Sequence, residues 1–398
     1  LSARERAVIV EAVSDPRYSF ETDEHAAVRA RARRFAEHHV APHGAAWEEA
    51  EEFPVELYAR AAAAGIAAVG YPDDVGGDGG DLGHVAASSD ELIRAGRSVG
   101  TIVGLGSHGI ALPPIVRFGT PAQRDRFVRP CLADGKIAAL AVTEPGGGSD
   151  VAALATRAVR DGDHYVVTGA KTFITSGSRA DFVTTAVRTG GAGHAGVSLL
   201  VIERGTPGFT VGRRLAKTGW WASDTAELHF DGCRVPVGNR IGAENAGFAM
   251  LMANFAGERL LLAVQCVAIA ELAYRESIAY AQQRRAFDRA LVGFQVTRHK
   301  LADMASRIAA ARALTGDAVA RAVRNPNDPA LAGLAAMTKN VATDACSAVC
   351  DAAVQLHGGY GYMRETLVER LYRDARLYPI GGGTREIMNE VIAKTEGY

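Results

Sequence analysis

The chain has 398 residues, of which 48% are hydrophobic and 22% charged, with a formal net charge of −1. That length accommodates two or three domains with sizeable cores, and the near-neutral balance excludes a strong global field that would recruit nucleic acid or an anionic membrane. No run approaches the roughly 20 apolar residues of a membrane span, and Leu1 to Glu11 lack the core of a signal peptide.

The first third reads as helical. Residues 23–40 carry apolar residues at helical spacing among Ala, Arg and Glu. Pro54 opens a helix over Val55 to Ala64 that stops at Gly65, the Pro-start and Gly-stop asymmetry of helices. Further helices are predicted over 82–97 and 121–133. The Gly76–Gly80 stretch reads as a loop, since it lacks the spacing of a phosphate loop between strand and helix.

The middle changes character. His164–Gly169, Asp181–Arg188, Val197–Glu203 and Thr225–Phe230 are rich in Val, Thr, Phe and Ile. Asp161-Gly162, Gly190-Gly191, Gly205 to Gly208 and Asp231-Gly232 read as the turns between them, which predicts a small antiparallel β domain. From about residue 246 helical periodicity returns, over 246–285, 295–323 and 330–357, in the manner of an antiparallel bundle. Glycine-rich breaks at Gly358–Gly361 and Gly381–Gly383 each precede a further helix. The predicted division is 1–136 helical, 137–245 β and 246–398 helical.

The five cysteines, Cys131, Cys233, Cys266, Cys346 and Cys350, are scattered and odd in number. A disulfide framework is not expected, a reducing cytoplasm is, and Cys346 and Cys350 read as packing residues on one helix face. No metal site is expected.

Four segments carry chemistry. Ala141-Val142-Thr143-Glu144-Pro145-Gly146-Gly147-Gly148-Ser149-Asp150 runs a strand into glycines whose N–H groups let a flat or anionic ligand approach, or forms an ordinary inter-domain loop. In Lys171-Thr172-Phe173-Ile174-Thr175, an aromatic and a hydroxyl two apart share one strand face, suited to a planar cofactor or to a core. Arg284, within Gln283-Arg284-Arg285-Ala286-Phe287, is a fork-shaped donor for phosphate or a solvated surface residue. Gln355-Leu356-His357-Gly358-Gly359-Tyr360-Gly361-Tyr362 leads to Arg373-Asp374-Ala375 and Gly383-Thr384-Arg385-Glu386. His357 reads as a loop-lining residue.

In this order and spacing the four segments resemble the acyl-CoA dehydrogenase family over residues 20 to 395. The resemblance implies a mainly α fold with an N-terminal helical domain, a β-barrel-like middle domain and a C-terminal four-helix bundle. It implies FAD lying extended between the β domain and the bundle. By motif position, Val142, Thr143, Gly148 and Ser149 would contact flavin and substrate, and Phe173 and Thr175 the isoalloxazine ring, where the family often has Trp in place of Phe173. Arg284, Phe287, Gln295, Gln355 and Gly359 would bind FAD across a subunit interface, and Thr384 and Glu386 within the subunit. Arg259 and Gly383 would lie at the substrate. A homotetramer and electron-transferring flavoprotein as electron acceptor are expected on the same ground.

Such chemistry needs a carboxylate to take the proton next to the thioester carbonyl, in an apolar pocket that raises its basicity, with donors for the developing enolate oxygen. Much of the family carries it as Glu in an Ile-Tyr-Glu-Gly-Thr stretch. Here the chain reads Ile380-Gly381-Gly382-Gly383-Thr384, with Gly382 at that position. Long-chain and isovaleryl-type members carry the base on a C-terminal-domain helix just before an Arg, where this chain has Glu258-Arg259. The resemblance therefore implies Glu258 as base, with the backbone N–H of Gly382 kept as an oxyanion donor and with added room at Gly381 for a bulky or branched acyl group. A flavin monooxygenase of the same fold, a non-catalytic partner subunit and a dehydrogenase of carrier-protein thioesters remain open on the sequence.

Overall fold

The structure is a computed structural model describing residues 17–398. The reading of Leu1 to Glu11 lies outside the described residues. The chain passes from helices to a β domain and back to helices, as expected.

The first layer contains α1 (Asp23–His39), α2 (Glu56–Ala63), α3 (Leu82–Gly96) and α4 (Val99–Leu105). Asp81 starts α3 by accepting the N–H groups of Gly83 and His84 at 2.9 and 3.3 Å, satisfying donors that the first turn leaves orphaned. The stretch 121–133 is helical but winds through a π turn at Arg124–Val128.

Eight strands follow: β1 (Ala138–Ala141), β2 (Arg157–Asp161), β3 (His164–Thr175), β4 (Phe182–Arg188), β5 (Val197–Glu203), β6 (Phe209–Arg214), β7 (Thr225–Pro236) and β8 (Arg240–Ile241). Their order is β6-β7-β3-β2-β4-β5-β8, with β1 also on β4. The expected antiparallel domain is thus a mixed sheet, because β1 pairs with β4 in parallel and Arg157 of β2 meets Arg188 of β4 in parallel. β4 and β5 are buried along almost their whole length. That is why both read as continuous apolar runs rather than as alternating ones.

Two further expectations are corrected. Asp231-Gly232 is not a turn but an insertion within β7. Phe230 pairs with Gly169 and Cys233 with Val167, so the two residues oppose Thr168 alone, and Gly232 at φ +60° absorbs the bulge. The strand beginning at His164 runs past Gly169 to Thr175. The strands β2 and β6, which the sequence reading did not pick out, carry mostly exposed or half-buried residues and only two apolar side chains each.

The last layer is built on α5 (Gly247–Gln283), α6 (Gln295–Arg324) and α7 (Leu331–His357), joined by α8 (Leu367–Ala375) and α9 (Arg385–Glu396). All five cysteines are buried and unpaired. Among the described residues no single helix is long and apolar enough to cross a membrane.

A buried ionic network locks the first layer to the last. Arg29 of α1 and Arg94 of α3 each donate to Asp90 at 2.7 Å. Arg94 also meets Glu271 of α5, and Arg312 of α6 meets the same carboxylate. Burial works against ionising Asp90, but the Arg94 and Arg29 guanidiniums hold its carboxyl below the usual range. Replacing Asp90 by Ala leaves two buried cations short of a partner. It should destabilise the protein by about 3–5 kcal/mol, read as a fall in melting temperature. Because the folded-state value is depressed, the wild-type contribution holds above the ordinary carboxylate range and is lost as pH falls through and below it.

Candidate active site

Gly381–Gly383 form the loop between α8 and α9. Gly382 and Gly383 have φ of +65° and +100°, in the left-handed region that a side chain strains to enter. The space is tight as well: a Cβ on Gly382 would stand 2.7 Å from Leu262 Cδ1, so the end of that leucine would have to shift. Two cations grip the loop. Arg259 Nε donates to the Gly382 carbonyl at 3.2 Å, and Lys339 Nζ donates to that of Gly383 at 2.6 Å. Thr384 caps α9, its hydroxyl oxygen accepting the Ile387 N–H at 3.3 Å. Glu386 lies exposed in the first turn.

Glu258 arrives from α5. Its Oε1 is 3.7 Å from where a Cβ on Gly382 would be, so two positions 124 apart in sequence offer one place in space. Glu258 Oε2 is buried and has no hydrogen-bond partner among the described residues. Burial pushes the carboxyl up to about 7, against the pull of the Arg259 and Lys339 charges. Burial likewise pushes the Lys339 ammonium down to about 8. A carboxyl that gains and loses its proton near neutrality, with no donor on its free oxygen, is equipped to act as a base.

The β domain presents a second group. Lys171 is fully buried, and its Nζ donates to the Val142 carbonyl at 2.9 Å and to Glu144 Oε1 at 2.8 Å. Glu144 also accepts the N–H groups of Ala155 and Thr156 at 2.6 and 2.9 Å. The Thr172 N–H donates to the Thr143 carbonyl at 2.9 Å. These bonds pin the start of the glycine-rich loop, beyond which Gly148 and Ser149 are exposed. Next to the pinned point β3 bulges, with Thr172 and Phe173 facing Glu227 alone. Phe173 takes φ +60° and stands 67% exposed, while Ile174 is buried and Thr175 half-buried, so an uncovered aromatic and a hydroxyl flank a core residue.

A third group lies at the far end of α5. Arg284 and Gly359 line an open cleft of about 570 Å³ with Tyr280, Leu291, Leu356, His357, Gly358, Tyr360 and Met363. Arg284 is exposed and makes no ion pair among the described residues. Phe287 is 91% exposed and meets Phe294 edge-on, beside exposed Gln295; Gln355 is exposed on the last turn of α7. Arg284 lies about 39 Å along the helix from Glu258, at 1.5 Å per residue. The structure therefore brings together Glu258, Arg259, Gly382 and Gly383, and separately Val142, Thr143, Gly148 and Ser149 beside Phe173 and Thr175. It keeps Arg284, Phe287, Gln295, Gln355 and Gly359 apart from both. His357 Nδ1 sits 2.8 Å from the Ala353 carbonyl and its ring stacks on Tyr280, in keeping with a lining role.

Lys171 and Lys339 are the functional side chains that motif reading passed over. Both had a signal. Lys339 interrupts the buried stripe Ala335, Ala342, Cys346 at helical spacing, and Lys171 follows Tyr165 and Val167 on the inward face of β3. A lysine within an apolar stripe needs a partner. A cluster of His25, Asp81 and His84 also went unnoticed. Its two rings stack at 4.2 Å and 28°, and His84 Nδ1 lies 2.9 Å from Asp81 Oδ1.

The raised proton affinity of Glu258 has a thermodynamic signature. Its folded-state value lies above the unfolded one, so ionised Glu258 opposes folding; the penalty starts above about pH 4.5 and is full above about pH 7. Glu258→Gln should therefore melt higher than wild type at pH 8, by the equivalent of up to about 3 kcal/mol, with the gap closing toward pH 4. Melting curves across that pH range measure it.

Family models described as the acyl-CoA dehydrogenase N-terminal, middle and C-terminal domains match residues 22–136, 139–233 and 245–396. A probable acyl-CoA dehydrogenase structure from Mycobacterium abscessus superposes with a TM-score of 0.93 at 51% identity, covering 95% of this chain and 100% of that one. Bovine mitochondrial isobutyryl-CoA dehydrogenase is 38% identical over 91% of this chain and 86% of its own length. Mouse long-chain specific acyl-CoA dehydrogenase is 37% identical over 94% and 86%. The chain belongs to the acyl-CoA dehydrogenase family of FAD-dependent oxidoreductases.

Proposed function

We propose that this enzyme converts an acyl-CoA thioester to the trans-2-enoyl thioester with Glu258 as the base. The observation that carries the reading is Glu258 Oε2, buried and without a hydrogen-bond donor, on a carboxyl that lies beside Gly382. Glu258 takes the proton from the carbon next to the thioester carbonyl. The Gly382 N–H donates to the carbonyl oxygen as charge develops there, a role that needs backbone and no side chain. Arg259 and Lys339 hold the loop that presents this donor, and Gly383 and Ser149 border the substrate. FAD, when bound, supplies at its N5 the acceptor for the hydride leaving the next carbon.

The residues fit that cofactor. Uncovered Phe173 offers a flat apolar surface for the ring, with Val142 beside it and Thr143, Gly148, Ser149 and Thr175 as its polar surround. Unpaired Arg284 offers a charge for phosphate, while Gly359 has open space about it. Phe287, Gln295 and Gln355 would contribute on the same side, and Thr384 and Glu386 at the α9 start. The distance from Glu258 to Arg284 is more than one cofactor spans. That supports FAD sites shared between subunits, and we read the assembly as a homotetramer in the cytoplasm, its domains divided at 136/137 and 245/246. Electron-transferring flavoprotein is the proposed acceptor of the electrons. A monooxygenase of this fold has no need of a proton-abstracting carboxylate here, and a non-catalytic subunit has no need of Glu258 or Arg284.

Glu258→Gln should keep FAD bound and slow flavin reduction by acyl-CoA about 10²- to 10⁴-fold in anaerobic stopped flow; reduction at the wild-type rate sinks the assignment. In wild type the rate should climb as pH rises through about 7, since the ionised form is active. Arg284→Ala should weaken FAD retention about 10- to 100-fold on the scale of a charged hydrogen bond, measured by titrating apoprotein with FAD.

A further inference from the structure

Helix α5 is buried on most of its surface over two turns beyond Glu258, except for one stripe. Glu258, Leu261, Leu262 and Gln265 stay half-exposed while Arg259, Leu260, Ala263, Val264 and Cys266 are buried. The spacing 258, 262, 265 keeps these side chains in one row. Helix α3 supplies an opposing row. A Cβ on Gly257 would come 3.8 Å from Leu82 Cδ1, and two turns further on Gln265 Nε2 donates to Ser89 Oγ at 3.2 Å. Leu82 and Ser89 are half-exposed as well. The third side is the segment from Tyr378 to Gly382. Gly382 abuts Leu262 at the upper end, and Tyr378 Oη donates to Gln265 Oε1 at 3.0 Å at the lower end. Three walls therefore run from the base to a common floor about 10 Å below it.

From these walls we infer that Ser89, Gln265 and Tyr378 form a polar floor that restricts the acyl site to short, broad acyl groups. The inference rests on Glu258 being the base, since that sets where the acyl chain starts. The floor is stiff, because Tyr378 is 1% exposed and packs edge-on against Trp220 at 5.4 Å. It is also hostile to hydrocarbon. A longer chain could pass only by breaking the two hydrogen bonds, leaving an amide and two hydroxyls buried without partners. Width is gained at the top, where a Cβ on Gly381 would meet only the Leu377 carbonyl oxygen and Cγ, at 3.8 and 3.9 Å. The substrate class is an acyl thioester shorter than dodecanoyl, with room for a branch near the carbonyl.

The test uses Glu258→Gln holoenzyme, so that thioesters bind without reacting. Calorimetry would compare isobutyryl-, butyryl-, octanoyl-, dodecanoyl- and palmitoyl-CoA. In an open apolar channel each added methylene raises affinity about fourfold. Here the rise should stop before dodecanoyl, with isobutyryl at least equal to butyryl. Adding Gln265→Leu should let dodecanoyl bind at least about 10-fold tighter than it does with Gln265 in place. Tyr378→Phe, which keeps the packing on Trp220, should do the same to a lesser degree and guards against a Gln265 variant that fails to fold. A series that climbs steadily to palmitoyl with Gln265 in place overturns the floor, as does a series unchanged by both substitutions. Those results leave the base untouched, because wild-type flavin reduction and its loss in Glu258→Gln report on that separately. Binding of none of the five thioesters overturns the acyl-CoA reading and the floor together.

Discussion

The site depends on a carboxylate held out of water beside a backbone loop that two cations hold in place. Taking Glu258 out of water raises its proton affinity; Arg259 and Lys339 limit that rise without making a hydrogen bond to its free oxygen. The same two side chains spend their donors on consecutive carbonyls of Gly382 and Gly383. One pair of buried charges thus does two things. It sets the field at the Glu258 carboxyl, and it orients a left-handed loop that no other residue type could occupy without strain.

The rest of the molecule is arranged to keep those charges dry and in register. Helix α5 carries Glu258 and Arg259, α7 carries Lys339, and α3 closes the open side. The Asp90 network holds α3 against α5 and α6 through buried ion pairs. Pairs of this kind contribute little net stability over an apolar core, but breaking one is costly, which makes the helix contact unforgiving of slippage. On the β side the logic repeats at Lys171. A buried ammonium ties the Val142 carbonyl and Glu144 together, and Glu144 reaches back to the Ala155 and Thr156 amides. The glycine-rich loop is thereby rooted while its tip stays open, and the adjacent bulge lifts Phe173 out of the sheet.

Much of this was legible in the sequence where a pattern was local and repeated. The long helices α5, α6 and α7 follow from their length and alanine content, and the glycine breaks before α8 and α9 follow from the turn chemistry that interrupts them. Legibility failed where a residue's meaning depends on its partner strand. Asp231-Gly232 carries the chemistry of a turn, yet inside β7 the same left-handed glycine serves a bulge, because β3 continues opposite it. The strands β2 and β6 are mostly polar or solvent-facing, and their few apolar residues, Ala158 and Val159 in β2 and Phe209 and Val211 in β6, are too few to mark a strand. Lys171 and Lys339 stood inside apolar stripes, a signal of buried charge that motif matching does not weigh.

By itself the sequence determined the order of domains, the family and the cofactor, since motif spacing records which residue types recur together, and it singled out positions 258 and 382 for the proposed base. Only the tertiary structure decided that Glu258 and Gly382 share one place, that Lys339 completes the grip on the loop, and that Gln265 links Ser89 to Tyr378 two turns beyond Glu258. Those facts rest on contacts between residues far apart along the chain. A contact of that kind has no period and no spacing to betray it; it exists only once the helices have packed.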